Sequence, residues 1–335
     1  MYKKLSIKII KSDDINDELI NDIVNLVKKE RGVINSGKRL HNLDYYKWKL
    51  KNNPFGAYVV VNYSNEGLMS FCTFTAKAEA TKDSSSLYEL GDVYVNSQVR
   101  GRGYFFRMLR KFHKELPNIK VYGTANDRAL PSELKAGYKE LAVNIKYTFM
   151  PFGIPLFHFF SNNFFFAKYF YKIDFFTRMV NIIFFLFFKN IKCKVLTRIK
   201  SINSKSFSSD LFDKSNRYLL WRYLNSPENY KYLTSISGND IVIYKNVLFK
   251  NIPFLFIVDH NLENSLKKIE MLKQLLKKEK VFGAFEISAS NTSSFLPNFC
   301  SFKFKNIKLI SYGDILKHNC RLFDFRFLGG DTDNV

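Results

Sequence analysis

The stretch DVYVNSQVRGRG, Asp92–Gly103, lies where the chain changes from one pattern of apolar residues to another. Before the glycines, YELGDVYV alternates with a period near two, which is typical of a strand. After them, FFRMLRKFHKEL repeats apolar residues every three or four positions, which is typical of an amphipathic helix. The sequence therefore predicts a strand, a glycine-containing loop and a helix from Tyr104 in immediate succession.

The residue types of this loop suit a pyrophosphate group. The first turn of a helix leaves four backbone N–H groups unpaired at the positive end of the dipole, where phosphate binds. Gly101 and Gly103 remove Cβ atoms from the path of the phosphates, while Arg100 and Arg102 can add charge-assisted hydrogen bonds. A Walker loop is excluded because GK[ST] is missing, and a Rossmann loop would need a third glycine. An ordinary basic turn is the alternative interpretation.

The spacing of Gln98, Gly101 and Gly103 resembles the Q/R-x-x-G-x-G/A signature of the GNAT superfamily of acetyl-CoA-dependent N-acetyltransferases. The resemblance covers residues 1–150. It implies that acetyl-CoA is the co-substrate, without a metal, and that the strand before the loop separates from its neighbour to bind the pantetheine arm. An Asn after the next strand often contacts the cofactor in this family. The implied cofactor-binding residues are Val93, Tyr94, Val95, Gln98, Val99, Arg100, Gly101, Arg102, Gly103, Tyr104 and Asn126.

Acetyl transfer to an amine requires a base that removes the proton of the amine. Asp92 and Glu89 lie on the strand before the loop, and a spacing of three places them on opposite faces of a regular strand. We favour Asp92, which is nearer the expected thioester; a solvated strand carboxylate is the alternative for both. Family members often carry a Tyr that protonates the leaving thiolate where this chain has Glu133. Tyr138, Tyr94 or solvent could replace it.

The two tryptophans stand in matching contexts, YYKWKLKNNP at Tyr45–Pro54 and YLLWRYLNSP at Tyr218–Pro227, 173 residues apart. VYGTA (Val121–Ala125) is similarly matched by VFGAF (Val281–Phe285), and the tripeptide NIK occurs after each. These echoes, together with mixed strands and helices, predict an α/β (α+β) fold with two copies of one GNAT-like mixed-sheet unit.

The predicted organisation has three parts. Residues 1–150 form the acetyl-CoA-binding domain, residues 151–199 an aromatic-rich helical connector, and residues 200–335 a degenerate GNAT-like domain. In the last, the expected loop position reads DHNLENS (Asp259–Ser265), without glycine or arginine. A second cofactor site is therefore not predicted.

The connector is unusually rich in phenylalanine, with fifteen of the 35 phenylalanines between Phe149 and Phe188. Its longest apolar run, Ile182–Phe188, is too short to span a bilayer. We favour a buried connector between the copies. The alternative is peripheral contact of residues 149–188 with an anionic membrane surface.

The formal net charge is +22, from 52 Lys and Arg against 30 Asp and Glu. Such a charge suits nucleic acid, an anionic membrane or a phosphorylated ligand. No nucleic-acid-binding motif is present, so a nucleic-acid partner is not predicted. Solvated lysines from an AT-rich genome are the alternative. The four cysteines are scattered without CxxC spacing, which argues against zinc and disulfides and favours the cytoplasm. No signal peptide is recognised, and a peripheral location at the inner membrane face is the alternative.

The predicted function is acetyl-CoA-dependent N-acetylation of a small-molecule amine. By family analogy, an amino sugar of surface polysaccharide or nucleotide-sugar synthesis is the suggested acceptor. The alternatives are a non-catalytic module that binds CoA or a polyanion, and a protein or peptide N-acyltransferase. The sequence leaves open the acyl chain length and the oligomeric state.

Overall fold

Strands and helices alternate through both halves of the chain. The computed structural model describes residues 6–31, 42–77, 87–143, 145–151, 193–196, 207, 214–235, 237–249, 252–279, 281, 283–289, 294–296 and 302–313. Most of the predicted connector lies outside these ranges, so its helical structure and its membrane contact stay predictions there. Near its end the helical prediction is wrong, because Cys193–Leu196 form a strand. No helix among the described residues is long and apolar enough to cross a membrane.

Among the described residues, the first half contains seven strands and four helices. The strands are β1 (Ser6–Lys11), β2 (Ala57–Ser64), β3 (Gly67–Ala76), β4 (Leu87–Val95), β5 (Lys120–Ala125), β6 (Lys139–Glu140) and β7 (Ile145–Pro151). The helices are α1 (Asp17–Arg31), α2 (Leu43–Tyr46), which continues into a π-helical turn (Lys47–Lys51), α3 (Tyr104–Glu115) and α4 (Leu130–Lys135). The predicted helix from Tyr104 is confirmed, and its apolar stripe is buried because every third or fourth residue faces the sheet.

The second half repeats this order of elements in the described residues. Its strands are β8 (Cys193–Leu196), β9 (Lys231–Ser235), β10 (Ile241–Phe249), β11 (Ile252–His260), β12 (Gly283–Ser288) and β13 (Phe302–Tyr312). Its helices are α5 (Asn216–Leu219), which continues into a π-helical turn (Leu220–Leu224), and α6 (Ser265–Lys278). The predicted α/β fold with two related units is therefore present.

One continuous sheet joins the two halves, in the order β1-β2-β3-β4-β5-β13-β7-β12-β11-β10-β9-β8, with β6 beside β13. The pairs β4–β5 and β11–β12 are parallel and the others antiparallel. Along this order, each half supplies five of the described strands to its own part of the sheet and receives the next strand from the other half. The C-terminal strand β13 pairs with β5, and β7 of the first half pairs with β12. The halves have thus exchanged their last strands.

This exchange affects how the predicted domains are understood. The sequence assigns the last strand of the first copy to residues 140–149, within that copy. In the structure, β7 lies between β12 and the first part of β13, and so completes the sheet of the other half. The boundaries at residues 150 and 200 stay a prediction, but neither half completes its sheet from its own segment alone.

The two tryptophans meet at the contact between the halves. The rings of Trp48 and Trp221 are stacked with centroids 4.9 Å apart. The indole N–H of Trp48 donates to the carbonyl of Trp221 at 2.8 Å, and that of Trp221 donates to the carbonyl of Trp48 at 3.2 Å. Such reciprocal contacts are those of a two-fold interface. The matching tryptophan contexts in the sequence therefore correspond to a pseudo-two-fold axis within one chain.

A Trp48→Phe substitution tests this reciprocal contact. It keeps an aromatic ring but removes the indole donor, which leaves the buried carbonyl of Trp221 without that bond. We expect a loss of roughly 1–3 kcal/mol in the free energy of unfolding, measured by denaturant titration. Trp221→Phe is the matched variant and should cost a similar amount. Unchanged stability in both variants would contradict the interface.

The first half of the sheet has two differently covered faces. The α3 face of β2–β5 packs against α3 and α4, with Phe74, Leu90 and Phe112 in its core. The opposite face, which we call the tryptophan face, packs against α1, α2 and the second half around Trp48 and Trp221. These two faces position the groups of the candidate site.

Candidate functional site

A β-bulge interrupts β4 just before the glycine loop. In its pairing with β3, Thr73 lies opposite Gly91 and Phe71 opposite Tyr94, so two residues of β4 face the single Cys72. One of the two is Asp92, whose φ of 42° lies in the left-handed region. A bulge of this kind bends a strand and redirects its side chains.

Beyond the bulge, β4 separates from β5. Their parallel ladder runs from Leu87 opposite Lys120 to Leu90 opposite Gly123 and then stops, whereas β4 continues to Val95. The edge of Val93–Val95 that faces β5 is therefore outside any described strand ladder. Such an edge can bind an extended ligand through backbone hydrogen bonds. The family resemblance implied this separation.

The glycine loop leads from the end of β4 into α3. Gly101 and Gly103 have φ values of 78° and 71°, which a side chain would strain. A Cβ atom at either position would meet nothing within 4 Å, so the space above the loop is open. Gly103 is the N-cap of α3 and supplies no side chain to cap it. The N–H groups of the first turn are thus left for an external acceptor.

The near side of the loop is held by Glu30, which no sequence motif identifies. Glu30 of α1 accepts from the N–H of Ser97 at 3.0 Å and from Nη2 of Arg100 at 2.7 Å. Nη2 of Arg100 also donates to the carbonyl of Val95 at 3.2 Å. Arg100 was expected to face the phosphates, but here its guanidinium ties the loop to α1. No local pattern around Glu30 signals this role.

The remaining loop residues have structural partners as well. Val99 is buried with Met69 and Tyr104 beneath the loop. The N–H of Gln98 donates to the side chain of Asn96. Arg107 lies over the ring of Tyr104 and donates to the carbonyl of Arg102 at 2.8 Å. The loop is therefore anchored from below.

Both candidate bases are buried in ion pairs. Oδ2 of Asp92 lies 2.6 Å from Nζ of Lys49, and Oε2 of Glu89 lies 2.8 Å from Nζ of Lys77. Asp92 is 7% exposed and Glu89 is fully buried, so the alternative of a solvated strand carboxylate is wrong for both. Lys49 follows Trp48 in the π-helical turn, and a Cβ on Gly91 would lie only 3.2 Å from its Nζ.

The expectation that Asp92 and Glu89 face opposite ways is also wrong. Nζ of Lys77 lies over the ring of Trp221 and Nζ of Lys49 over the ring of Tyr45, and both rings belong to the core of the tryptophan face, so both carboxylates are paired on that face. The bulge is the physical reason, because an added residue with positive φ changes the alternation of a strand.

The two tyrosines considered as proton donors lie on different faces. Tyr138 is buried on the α3 face, where its hydroxyl and Nε2 of His113 are 2.9 Å apart. Burial raises the pKa of Tyr138 well above its ordinary value and lowers that of His113 to about 4. Tyr94 stacks on Phe71 on the tryptophan face, with ring centroids 5.4 Å apart. Tyr138 therefore does not join Asp92 and Glu89.

Asn126 lies directly after β5, as the resemblance implied. Its side-chain oxygen accepts from the N–H groups of Arg128 and Ala129, both at 3.0 Å. These bonds hold the turn into α4. The amide nitrogen of the Asn126 side chain takes no part in these bonds.

The corresponding helix of the second half has a closed N-terminus. The side chain of Asn264 accepts from the N–H groups of Leu266 and Lys267 at the start of α6. At the end of β11, the ring of Phe295 packs against that of His260 with centroids 5.6 Å apart. The open geometry of the first-half loop is therefore not repeated at α6. Within the described ranges, no group of three or more His, Cys, Asp or Glu side chains could hold a metal ion.

Comparison with known proteins identifies the fold. No family model matches the chain, and no curated protein matches it by sequence. A GCN5-related N-acetyltransferase from Anabaena variabilis has a similar structure, with a TM-score of 0.56 and 9% identity over 91% of this chain and 72% of that one. A GCN5-related N-acetyltransferase from Kribbella flavida is also similar, with a TM-score of 0.50 and 8% identity. The match covers 92% of this chain and 71% of that chain.

A tandem GNAT protein of the clavulanic acid biosynthesis pathway matches over nearly its full length. Its TM-score is 0.52 with 9% identity, over 92% of this chain and 98% of that chain. At such identities the likeness concerns the fold. The chain thus has the fold of the GCN5-related N-acetyltransferases, in a tandem form with two units in one polypeptide.

Proposed function

We propose that the chain is an acetyl-CoA-dependent N-acetyltransferase with one active site, in its first half. The observation that carries the proposal is the uncapped N-terminus of α3, which follows a bulged strand separated from its neighbour. This combination offers phosphate-binding N–H groups and an unpaired strand edge in immediate succession.

In this proposal the cofactor lies along the open side of β4 and the loop. The backbone of Val93, Tyr94 and Val95 binds the pantetheine arm. The backbone of Gln98, Val99, Arg100, Gly101, Arg102, Gly103 and Tyr104 surrounds the pyrophosphate, and Asn126 contacts the cofactor from the end of β5. The closed N-terminus of α6 favours one site over two, because Asn264 already accepts from the N–H groups that a phosphate would need.

Asp92 is the proposed base that removes the proton of the acceptor amine, directly or through a water. It lies at the bulge, where β4 leaves β5, and Lys49 holds its carboxylate in place. Glu89 is the second candidate on the same face. The acceptor is a small-molecule amine, and an amino sugar is the class that we propose to test first.

The test is release of free thiol from acetyl-CoA across a panel of amino sugars, amino acids and peptide amines. We expect turnover with at least one amine, and Asp92→Asn should lower kcat about 10²- to 10⁴-fold with the affinity for acetyl-CoA retained. Asp259→Asn is the matched control, since it breaks the buried pair with Lys214 in the second half and should keep the turnover.

The outcomes separate the alternatives. Loss of turnover in Glu89→Gln but not in Asp92→Asn would make Glu89 the base. Binding of acetyl-CoA without turnover of any amine would favour a non-catalytic module. If isothermal titration detects no binding of acetyl-CoA, the proposed function is wrong.

A further inference from the structure

Trp221 belongs to the second half, yet it contacts the first half beside both candidate bases. Its side chain is buried, and its ring stacks on that of Trp48 with centroids 4.9 Å apart. Nζ of Lys77 lies 5.4 Å from the centroid of the same ring. Trp48 is followed by the lysine that pairs with Asp92. Lys77 itself pairs with Glu89. One side chain of the second half therefore adjoins the groups that hold both carboxylates.

The first line of contacts leads from Trp221 to Asp92. The indole N–H of Trp221 donates to the carbonyl of Trp48 at 3.2 Å, and the indole N–H of Trp48 donates to the carbonyl of Trp221 at 2.8 Å. Lys49 is the next residue of the same π-helical turn, and its Nζ lies 2.6 Å from Oδ2 of Asp92. Because close packing leaves buried groups little freedom, the position of Lys49 depends on the contact between the tryptophans.

The second line of contacts leads from Trp221 to Glu89. Nζ of Lys77 lies 2.8 Å from Oε2 of Glu89, and both side chains are fully buried. A cation over the face of an indole ring is attracted by the ring quadrupole, most strongly where water is excluded. Trp221 thus holds the ammonium of Lys77 in place beside Glu89.

We propose that Trp221 is a positioning residue for the active site of the first half. This role rests on the proposed acetyltransferase function. Trp221 fixes the turn that carries Lys49, and Lys49 fixes the carboxylate of Asp92 where it can accept the proton of the amine. The second half, whose own helix N-terminus at α6 is capped by Asn264, thereby serves the reaction of the first.

The kinetic test is Trp221→Leu, which removes the ring and the indole donor together. A reacting group displaced by about 1 Å can cost about 10² in rate, so we expect kcat to fall about 10- to 100-fold. The dissociation constant of acetyl-CoA should stay within about twofold of wild type, because the glycine loop is anchored by Glu30 of α1. Trp221→Phe keeps a ring and should lower kcat less, by about threefold.

Leu272→Ala is the control for a general loss of stability. Leu272 of α6 is fully buried in the core on the α6 side of the second half, apart from the tryptophan face. Its truncation leaves a cavity and lowers the denaturant midpoint, but kcat should stay within about twofold of wild type. An equal decrease of kcat in Leu272→Ala and Trp221→Leu would overturn the role of Trp221.

A double-variant cycle distinguishes positioning from support of the fold. Residues that act through one another have non-additive effects, whereas independent sites add. In the Asp92→Asn background the carboxylate that Trp221 positions is already neutral, so adding Trp221→Leu should change the residual kcat less than about twofold. The same fold-decrease in both backgrounds would overturn the proposal. If Trp221→Leu does not fold, Trp221→Phe takes its place in the cycle under the same criterion.

The outcomes separate this role from the proposed function. A wild type that binds acetyl-CoA and turns over, beside a Trp221→Leu variant of equal kcat, overturns only the role of Trp221. Non-additivity with Glu89→Gln in place of Asp92→Asn overturns the assigned line of contacts through Lys49. A wild type without any turnover contradicts the proposed function, and this role with it.

Discussion

A Gly103→Glu variant is expected to bind acetyl-CoA at least about 100-fold more weakly than the wild type. The new side chain would project into the open space above the loop, where the cofactor pyrophosphate is proposed to lie. It would bring bulk and a negative charge to the N-terminus of α3, and like charges in contact cost several kcal/mol. Isothermal titration with acetyl-CoA and with CoA measures the change.

Two control variants separate charge from backbone strain. Gly103→Ala introduces a side chain at a φ of 71° without charge and should reduce affinity only modestly. Asn264→Asp adds a negative charge at the N-terminus of α6 while keeping a good N-cap, and should leave affinity unchanged. If Gly103→Glu retains wild-type affinity, the loop does not hold the pyrophosphate.

The largest effect on stability is expected from Lys49→Met. Lys49 is fully buried and its Nζ lies 2.6 Å from Asp92, so the substitution leaves a buried carboxylate without its ammonium partner. Breaking such a pair from one side costs about 3–5 kcal/mol. Denaturant titration monitored by circular dichroism should show this loss as a lower midpoint.

The double variant Lys49→Met/Asp92→Leu identifies the cause. Replacing both charges by apolar groups of similar size is often neutral, so most of the lost stability should return. The buried pair of Lys214 and Asp259 is the matched site in the second half, with Nζ 2.7 Å from Oδ2. Its single and double variants are measured in the same way. A single Lys49→Met variant that loses under about 1 kcal/mol would show that the ion pair contributes little.

Local features of the structure could be predicted from the sequence. The helix from Tyr104 follows from its apolar repeat, and the pseudo-symmetry follows from the contexts of Trp48 and Trp221. The missing glycines of DHNLENS correspond to an α6 whose N-terminus is capped by Asn264. These features depend on residues close together in the chain, whose spacing and chemistry constrain the backbone directly.

The exchange of last strands could not be predicted from local pattern. A strand such as β7 has the same alternation whether it joins β5 or β12, and only the complete sheet selects its neighbour. The bulge at Asp92 could not be predicted from local pattern either. Asp92 has a positive φ although it is not glycine, and the bulge is defined by the register between β3 and β4. The sequence therefore placed Glu89 and Asp92 on opposite faces.

The chemistry of the candidate acids and bases depends on tertiary contacts to the same degree. The order of residues along the chain is enough to show that Asp92 and Glu89 precede a phosphate-type loop and that Glu133 follows β5. Only the folded chain shows that Asp92 pairs with Lys49, 43 residues away, and Glu89 with Lys77, 12 residues away. Only the folded chain shows that Glu133 is buried. Ion pairing and desolvation act through space, at distances of a few ångströms that sequence separation does not specify.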